Sequence, residues 1–142
     1  MEHPTAPAVT GILESALYVE SLDRAAAFYR SLFAFDELFG DERLRALAVA
    51  GRQVLLLFAR TAADQPSTLG SGVIPPHGGH GRQHVAFAVP AQSLEGWEAR
   101  LREHGIPVEG RVSAPRGGTS IYFRDPDGHL LELATPGLWP VY

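Results

Sequence analysis

The sequence predicts an α+β fold of two βαβββ modules forming a curved mixed sheet cup with helices outside, and three observations carry that reading. The order of strand-like and helix-like stretches in residues 12–59 recurs in residues 84–134. Between them, residues 60–83 lose all periodicity and fill with Pro66, Pro75, Pro76 and a glycine-rich run from Gly70 to Gly81. The halves also stand in matched register: Glu14 lies five residues before Val19, where the first strand ends, and His84 lies five residues before Val89, where its counterpart ends. Repetition of a whole supersecondary unit marks an internally duplicated architecture.

In the first module, Ile12 to Glu20 alternates, with Ile12, Glu14, Ala16 and Tyr18 on one face and Leu13, Ser15, Leu17 and Val19 on the other. A helix follows, capped by Ser21, with Asp23 at its positive end and one apolar stripe of Ala25, Phe28, Tyr29 and Leu32. Phe28 and Tyr29 read as core. Three strands are expected next, over Phe35 to Phe39, Leu44 to Ala50 and Gln53 to Ala59, separated by Gly40-Asp41 and Gly51-Arg52 turns.

The second module opens with a strand from His84 to Val89. A helix is predicted over Gln92 to His104, with Ser93 as N-cap and Gly105 as its stop. Strands follow over Val108 to Ser113, Thr119 to Arg124 and His129 to Ala134, broken by the Pro115 to Gly118 turn and by Asp125-Pro126-Asp127-Gly128. Residues 1–11 read as a flexible N-terminal arm, residues 12–136 as a single domain, and residues 137–142 as an aromatic, proline-rich tail.

At 142 residues the chain is one domain's length, and its 45% hydrophobic and 20% charged content is that of a soluble globular protein. The net charge of −4 and the scattered basic residues give no stripe for nucleic acid. There is no cysteine, which excludes disulfides, thiolate metal ligands and a cysteine nucleophile and fits a reducing compartment. No apolar run approaches the ~20 residues that span a bilayer, and the N-terminus is not a signal peptide. The expectation is a cytoplasmic protein that meets neither nucleic acid nor membrane.

Single residues read blandly when taken alone: Glu14 as a solvated glutamate, His84 as a core histidine bonded to backbone. Their equivalent positions in two repeats change the weighting. Glu132 stands among Leu130, Leu131 and Leu133, where an unpaired charge is costly and a buried partner or metal resolves the cost. The run His77-x2-His80-x3-His84 is a second arrangement with metal-ligand spacing. Its first two members sit in a glycine-rich loop without a rigid scaffold, which favours solvation or lid contacts for them. His129 is an odd number of residues from Glu132 and so points to the opposite face. By the same alternation Ser120, Tyr122 and Arg124 share one face, and Ile121 and Phe123 face the helices. Tyr122 is the first choice for substrate contact, with Ser120 beside it and Arg116 in the preceding turn as a possible anchor for an anion.

Three segments carry a family resemblance. ESALYVESLDRAAAFYRSLFAF is similar to the opening of vicinal oxygen chelate proteins, the glyoxalase / bleomycin-resistance / extradiol-dioxygenase superfamily. HVAFAV resembles their second-module first strand, and IYFRDPDGHLLEL their closing hairpin; the resemblance covers Ile12 to Pro136. It implies a divalent metal on the first strand of each module and the last strand of the second, which by position are Glu14, His84 and Glu132. Two carboxylates and a neutral imidazole cancel a divalent charge and suit Mn, Fe(II), Ni or Zn rather than copper. Three protein ligands leave positions open for substrate. The resemblance also implies a homodimer, with each site formed within one chain or across a swapped pair.

Three functions follow as expectations. The first is a metal-dependent lyase, isomerase or oxygenase acting on a small oxygenated substrate chelated by the ion, with Glu132 as general base. The second is a metal-free or metal-optional protein of the bleomycin-resistance type that sequesters its ligand. The third is a thiol transferase opening an epoxide. Departures from the family pattern bear on each. Glu14 stands where many members have histidine, which weighs against extradiol cleavage. Val54 to Phe58 offers no fourth ligand of the glyoxalase I kind. Val112 and Val141 fall where fosfomycin-modifying members carry a lysine and an arginine.

Overall fold

The computed structural model describes residues 5–142, so the expected arm at residues 1–11 lies partly outside the described residues; residues 5–13 form no regular element. The first module contains β1 (Glu14–Val19), α1 (Leu22–Phe33), β2 (Glu37–Gly40), β3 (Leu44–Val49) and β4 (Gln53–Ala59). The connecting segment, expected to lack structure, holds a small hairpin of β5 (Ser67–Leu69) and β6 (Gly72–Ile74). Gly70 sits at its tip with φ of +59°, a conformation glycine adopts at no steric cost. The second module contains β7 (His84–Ala88), α2 (Leu94–Glu103), β8 (Gly110–Ser113), β9 (Thr119–Arg124) and β10 (Leu130–Ala134).

Each module is one mixed four-stranded sheet, ordered β1-β4-β3-β2 and β7-β10-β9-β8. In both, the first strand pairs parallel with the fourth and the remaining pairs are antiparallel. The predicted pseudo-symmetry is therefore present strand for strand, and neither sheet closes into a barrel.

Local chemistry explains the helix ends. Ser21 is extended and its Oγ accepts from the Arg24 amide at 3.2 Å, the expected N-cap. Ser93 departs from expectation. Residues Ala91–Ser93 form a 3-10 turn, and the Ser93 hydroxyl donates back to the Pro90 carbonyl at 2.9 Å instead of capping. The α-helix proper begins at Leu94. Gly105, at φ of +67°, ends it as predicted, with the Ile106 amide returning to the Leu101 carbonyl at 2.9 Å.

Alternation divides the two faces of each sheet. Leu17 and Val19 of β1, Leu55 and Leu57 of β4, Ile121 and Phe123 of β9, and Leu131 and Leu133 of β10 all join one buried cluster with Ala25, Tyr29 and Leu32 of α1 and Leu101 of α2. The helix-facing sides of both sheets thus share a single core. The opposite faces, which carry Glu14, Ala16 and Tyr18 in one module and His84, Ser120, Tyr122 and Glu132 in the other, look away from it.

Polar contacts from the second module fasten the seam. The Tyr29 hydroxyl donates to Asp125 Oδ2 at 2.6 Å, and the Glu20 amide donates to Asp127 Oδ1 at 2.9 Å. Arg24 and Arg60 flank the buried Asp127 carboxylate at 3.6 and 3.5 Å. His129 is 0% exposed. Its Nδ1 accepts from the Gln83 amide at 2.9 Å, so its Nε2 carries the proton and donates to the Tyr18 carbonyl at 2.8 Å. Gln83 Oε1 takes the Tyr18 amide at 3.2 Å. Both free backbone groups of Tyr18 on the outer edge of β1 are satisfied by side chains. Arg100 of α2 donates to the Leu32 and Ser31 carbonyls at 2.6 and 2.8 Å, closing the last turn of α1.

Candidate metal centre

The site forms on β7, β9 and β10, on the face turned away from the helices. The parallel register of β7 and β10 sets His84 opposite Leu130 and Ala86 opposite Glu132, while β9 sets Tyr122 directly opposite Glu132 and Ser120 opposite Ala134. Residues two apart on one strand share a face, so His84 and Glu132 point the same way and meet: His84 Nε2 stands 3.2 Å from Glu132 Oε1.

The hydrogen bonds around this pair decide what it can hold. His84 Nδ1 lies 2.8 Å from the Leu130 carbonyl, which can only accept, so Nδ1 carries a proton. In the neutral imidazole, Nε2 then presents a lone pair to a carboxylate oxygen, a repulsive arrangement that only a cation between them relieves. A proton makes it an ion pair and a metal makes it a chelate. At 3.2 Å the two atoms are close enough that both would hold one ion. Glu132 is 4% exposed, and its other oxygen accepts from Ser120 Oγ at 2.5 Å. Ser120 is itself buried. The pair is thus a desolvated carboxylate, aimed by a buried hydroxyl, beside an imidazole whose tautomer is set by backbone. A hydroxyl on the carboxylate and a backbone carbonyl on the imidazole are contacts of the kind that orient metal-binding side chains.

The other expected site residues are placed unevenly. Tyr122 is half-buried, with its ring 6.4 Å from the His84 ring. Ile121 and Phe123 are wholly buried on the helix side. Arg116 sits exposed in the turn before β9, and no hydrogen bond or ion pair joins its guanidinium to the pair among the described residues. Glu14 is exposed at the start of β1, on the outward face of the other sheet. Among the described residues no three His, Cys, Asp or Glu side chains gather into a metal-sized group, so one chain brings together His84 and Glu132 but not Glu14.

Several residues do more than the sequence suggested. His77 is anchored rather than loosely solvated: its Nδ1 lies 2.5 Å from the Tyr18 hydroxyl and its ring packs edge-on against Phe58 at 4.7 Å. His80 remains exposed. Asp125 and Asp127, read only as turn formers, are seam residues. His129 points away from Glu132 as expected, but into a seam whose only sequence signal was that odd spacing.

The family model described as Glyoxalase/Bleomycin resistance protein/Dioxygenase superfamily matches residues 11–133. Metallothiol transferase FosB of Shouchella clausii is 32% identical over 129 residues, which is 89% of this chain and 81% of that protein. Catechol-2,3-dioxygenase of Bacillus subtilis is 31% identical over 87% of this chain, but the match spans 41% of the dioxygenase. Among solved structures, a lactoylglutathione lyase from Agrobacterium tumefaciens superposes with a TM-score of 0.84 at 34% identity, covering 93% of this chain and 98% of that one. With the duplicated βαβββ fold and the His84–Glu132 pair in place, the chain belongs to the glyoxalase/bleomycin resistance protein/dioxygenase superfamily.

Proposed function

We propose that the protein is a divalent-metal-dependent enzyme acting on a small substrate that offers two neighbouring oxygens to the ion. His84 and Glu132 of one chain and Glu14 of a second copy hold the metal. The observation that carries this reading is the 3.2 Å approach of His84 Nε2 to the buried Glu132 carboxylate. Glu14, exposed on an outward face of its own sheet, is free to complete the half-site of another copy, which gives the homodimer a chemical purpose.

When bound, the ion supplies Lewis acidity to oxygens of the substrate. Glu132 is the general base of this reading: one oxygen is steadied by Ser120, and the carboxylate would take a proton from the carbon beside a substrate carbonyl. Tyr122 lines the wall opposite Glu132 and holds the substrate body, and Arg116 meets an anionic end where the substrate has one.

The decisive test is metal content in mixed dimers. Mn(II) loading of Glu14→Gln and Glu132→Gln, each alone, is expected to fall sharply. Hybrids of the two variants regain one intact site per dimer, because both defects then fall on the other site. Hybrids no better than either parent would sink the trans arrangement, and full loading of both single variants would sink the ligand set.

Thiol transfer to an epoxide is the second reading, favoured by the match to metallothiol transferase FosB over 89% of this chain and 81% of that protein. Val112 and Val141, exposed and uncharged, stand against a phosphonate substrate. Mn-loaded protein mixed with fosfomycin and cysteine separates the two: thiol loss supports this reading. Isomerisation of the methylglyoxal–glutathione hemithioacetal supports the first.

A further inference from the structure

The loop between the modules does something the metal reading leaves unexplained. On the outward face of the first sheet, Glu14, Ala16 and Tyr18 of β1 lie beside Val54, Leu56 and Phe58 of β4. Most of that strip is open: Glu14 is exposed, and Ala16, Val54 and Leu56 are half-buried. Its Tyr18 end is not. Phe58 is 6% exposed although it faces away from the core, because the loop covers it.

That cover is built rather than draped. The His77 amide donates to the Ala63 carbonyl at 2.8 Å. The His77 ring meets Phe58 and Tyr18 edge-on at 4.7 and 5.8 Å, and its Nδ1 is bonded to the Tyr18 hydroxyl. Gly79 crosses the Tyr18 ring so closely that a Cβ there would lie 2.7 Å from Tyr18 Cδ2, which explains the glycine. Gln83 Nε2 donates to the His80 and Gly81 carbonyls, both at 3.1 Å, holding the far end down. His77 therefore stands as a fixed, polar-edged block at one end of an apolar strip whose other end is Glu14.

We infer that His77 is the end wall of the substrate site and sets the length of what the metal can take. This rests on the reading that Glu14 joins the ion. The strip from Glu14 to Tyr18 is four residues of strand, about 13 Å, and His77 with Tyr18 closes it. The floor between is Ala16, Val54 and Leu56, small to medium and apolar. The substrate class is thus a compact molecule with a chelating pair of oxygens at one end. The carboxylate and ion at one end and the imidazole at the other take part of that length, which leaves the apolar body room for a single ring whose polar far end meets the imidazole edge. Two rings in line run into the wall.

Chelating hydroxamates of graded length test this. Mn-loaded wild-type protein is titrated with acetohydroxamate, benzohydroxamate and 4-phenylbenzohydroxamate, with metal content measured alongside. Wild type is expected to bind benzohydroxamate more tightly than the two-ring compound by about tenfold or more. His77→Ala, at unchanged metal content, should close that gap by admitting the longer ligand, and His77→Gln, which keeps bulk and polarity, should largely preserve it. A length preference unmoved by His77→Ala overturns the wall and leaves the metal site standing. Failure of all three hydroxamates to bind protein that carries stoichiometric Mn(II) overturns the reading of an ion that takes two substrate oxygens, and the wall with it.

Discussion

Replacing Tyr29 by phenylalanine removes one hydroxyl from the seam and little else. Tyr29 and Asp125 are both buried, and their 2.6 Å bond ties the first helix to the turn before β10. Asp125 keeps two other donors, the Asp127 and His129 amides, each at 2.9 Å from Oδ1. The carboxylate is weakened rather than orphaned, which puts the loss near the low end for a bond to a charged group, about 1.5–2 kcal/mol at neutral pH. With a urea slope of roughly 1–3 kcal/mol per molar, the unfolding midpoint should drop by about 1 M.

The same variant carries a signature in alkali. Burial, then the neighbouring Asp125 charge, hold the Tyr29 phenol well above its ordinary range. Unfolded, it ionises near pH 10; folded, it keeps its proton. Above about pH 10 the unfolded state therefore binds fewer protons than the native state, and wild-type stability falls by about 1.4 kcal/mol per pH unit until the folded phenol also ionises. Below that range the contribution is complete. The chain has no lysine, so tyrosines dominate this window. Tyr142, also raised by burial, adds to the fall in both proteins and cancels in the difference. Urea melts of both proteins from pH 7 to 11 measure it. Tyr29→Phe should start lower and decline less steeply past pH 10. Parallel curves, or a variant as stable as wild type at pH 7, would refute the argument that the seam depends on this bond.

Other substitutions give sharp expectations. His129→Ala strands the part-buried Gln83 amide and Tyr18 carbonyl, and denaturant melts should show a loss of about 2–4 kcal/mol for two unpaired groups plus the cavity left by a buried ring. Ser120→Ala leaves the fold intact but frees the Glu132 carboxylate from its 2.5 Å donor; Mn(II) affinity read by calorimetry should weaken by about tenfold. Gly118→Ala forces a Cβ to within 2.6 Å of the Leu138 amide nitrogen, an overpacking of backbone on backbone that should cost about 1–3 kcal/mol in a thermal or urea melt.

The duplicated fold was legible because alternation and turn chemistry agree at every element: Leu17 and Val19 against Glu14 and Tyr18, or Asp125 to Gly128 between two alternating runs. The β9 limits and the split between Tyr122 and Phe123 follow from period two alone. Ser93 misled because a serine ahead of a helix looks the same whether its hydroxyl caps the helix or bonds back to the preceding turn; Pro90 decided it. The β5–β6 hairpin was missed because Ser67–Leu69 and Gly72–Ile74 are three residues each, too short to show a period. At the site, shared parity on paired strands brought His84 and Glu132 together. The position of Glu14 depends on how one sheet lies against another, which no local pattern encodes. His129 escaped for the same reason: its partners, Tyr18 and Gln83, are distant in sequence.

The single core has a consequence for how the repeat came to be useful. Leu17, Leu55 and Leu57 on one sheet and Ile121, Phe123 and Leu133 on the other are all buried in the same cluster. Cut between the modules, neither half could bury its apolar side alone, and each would seek a second half as cover. A half-length chain of this kind is by its physics an associating one. The full chain is such a pair made permanent by a peptide tether, and a fragment of residues 5–69 should run on a sizing column as an assembly rather than a folded monomer. Covalent linkage then relieves the two halves of having to be identical, so one could keep an imidazole where the other keeps a carboxylate.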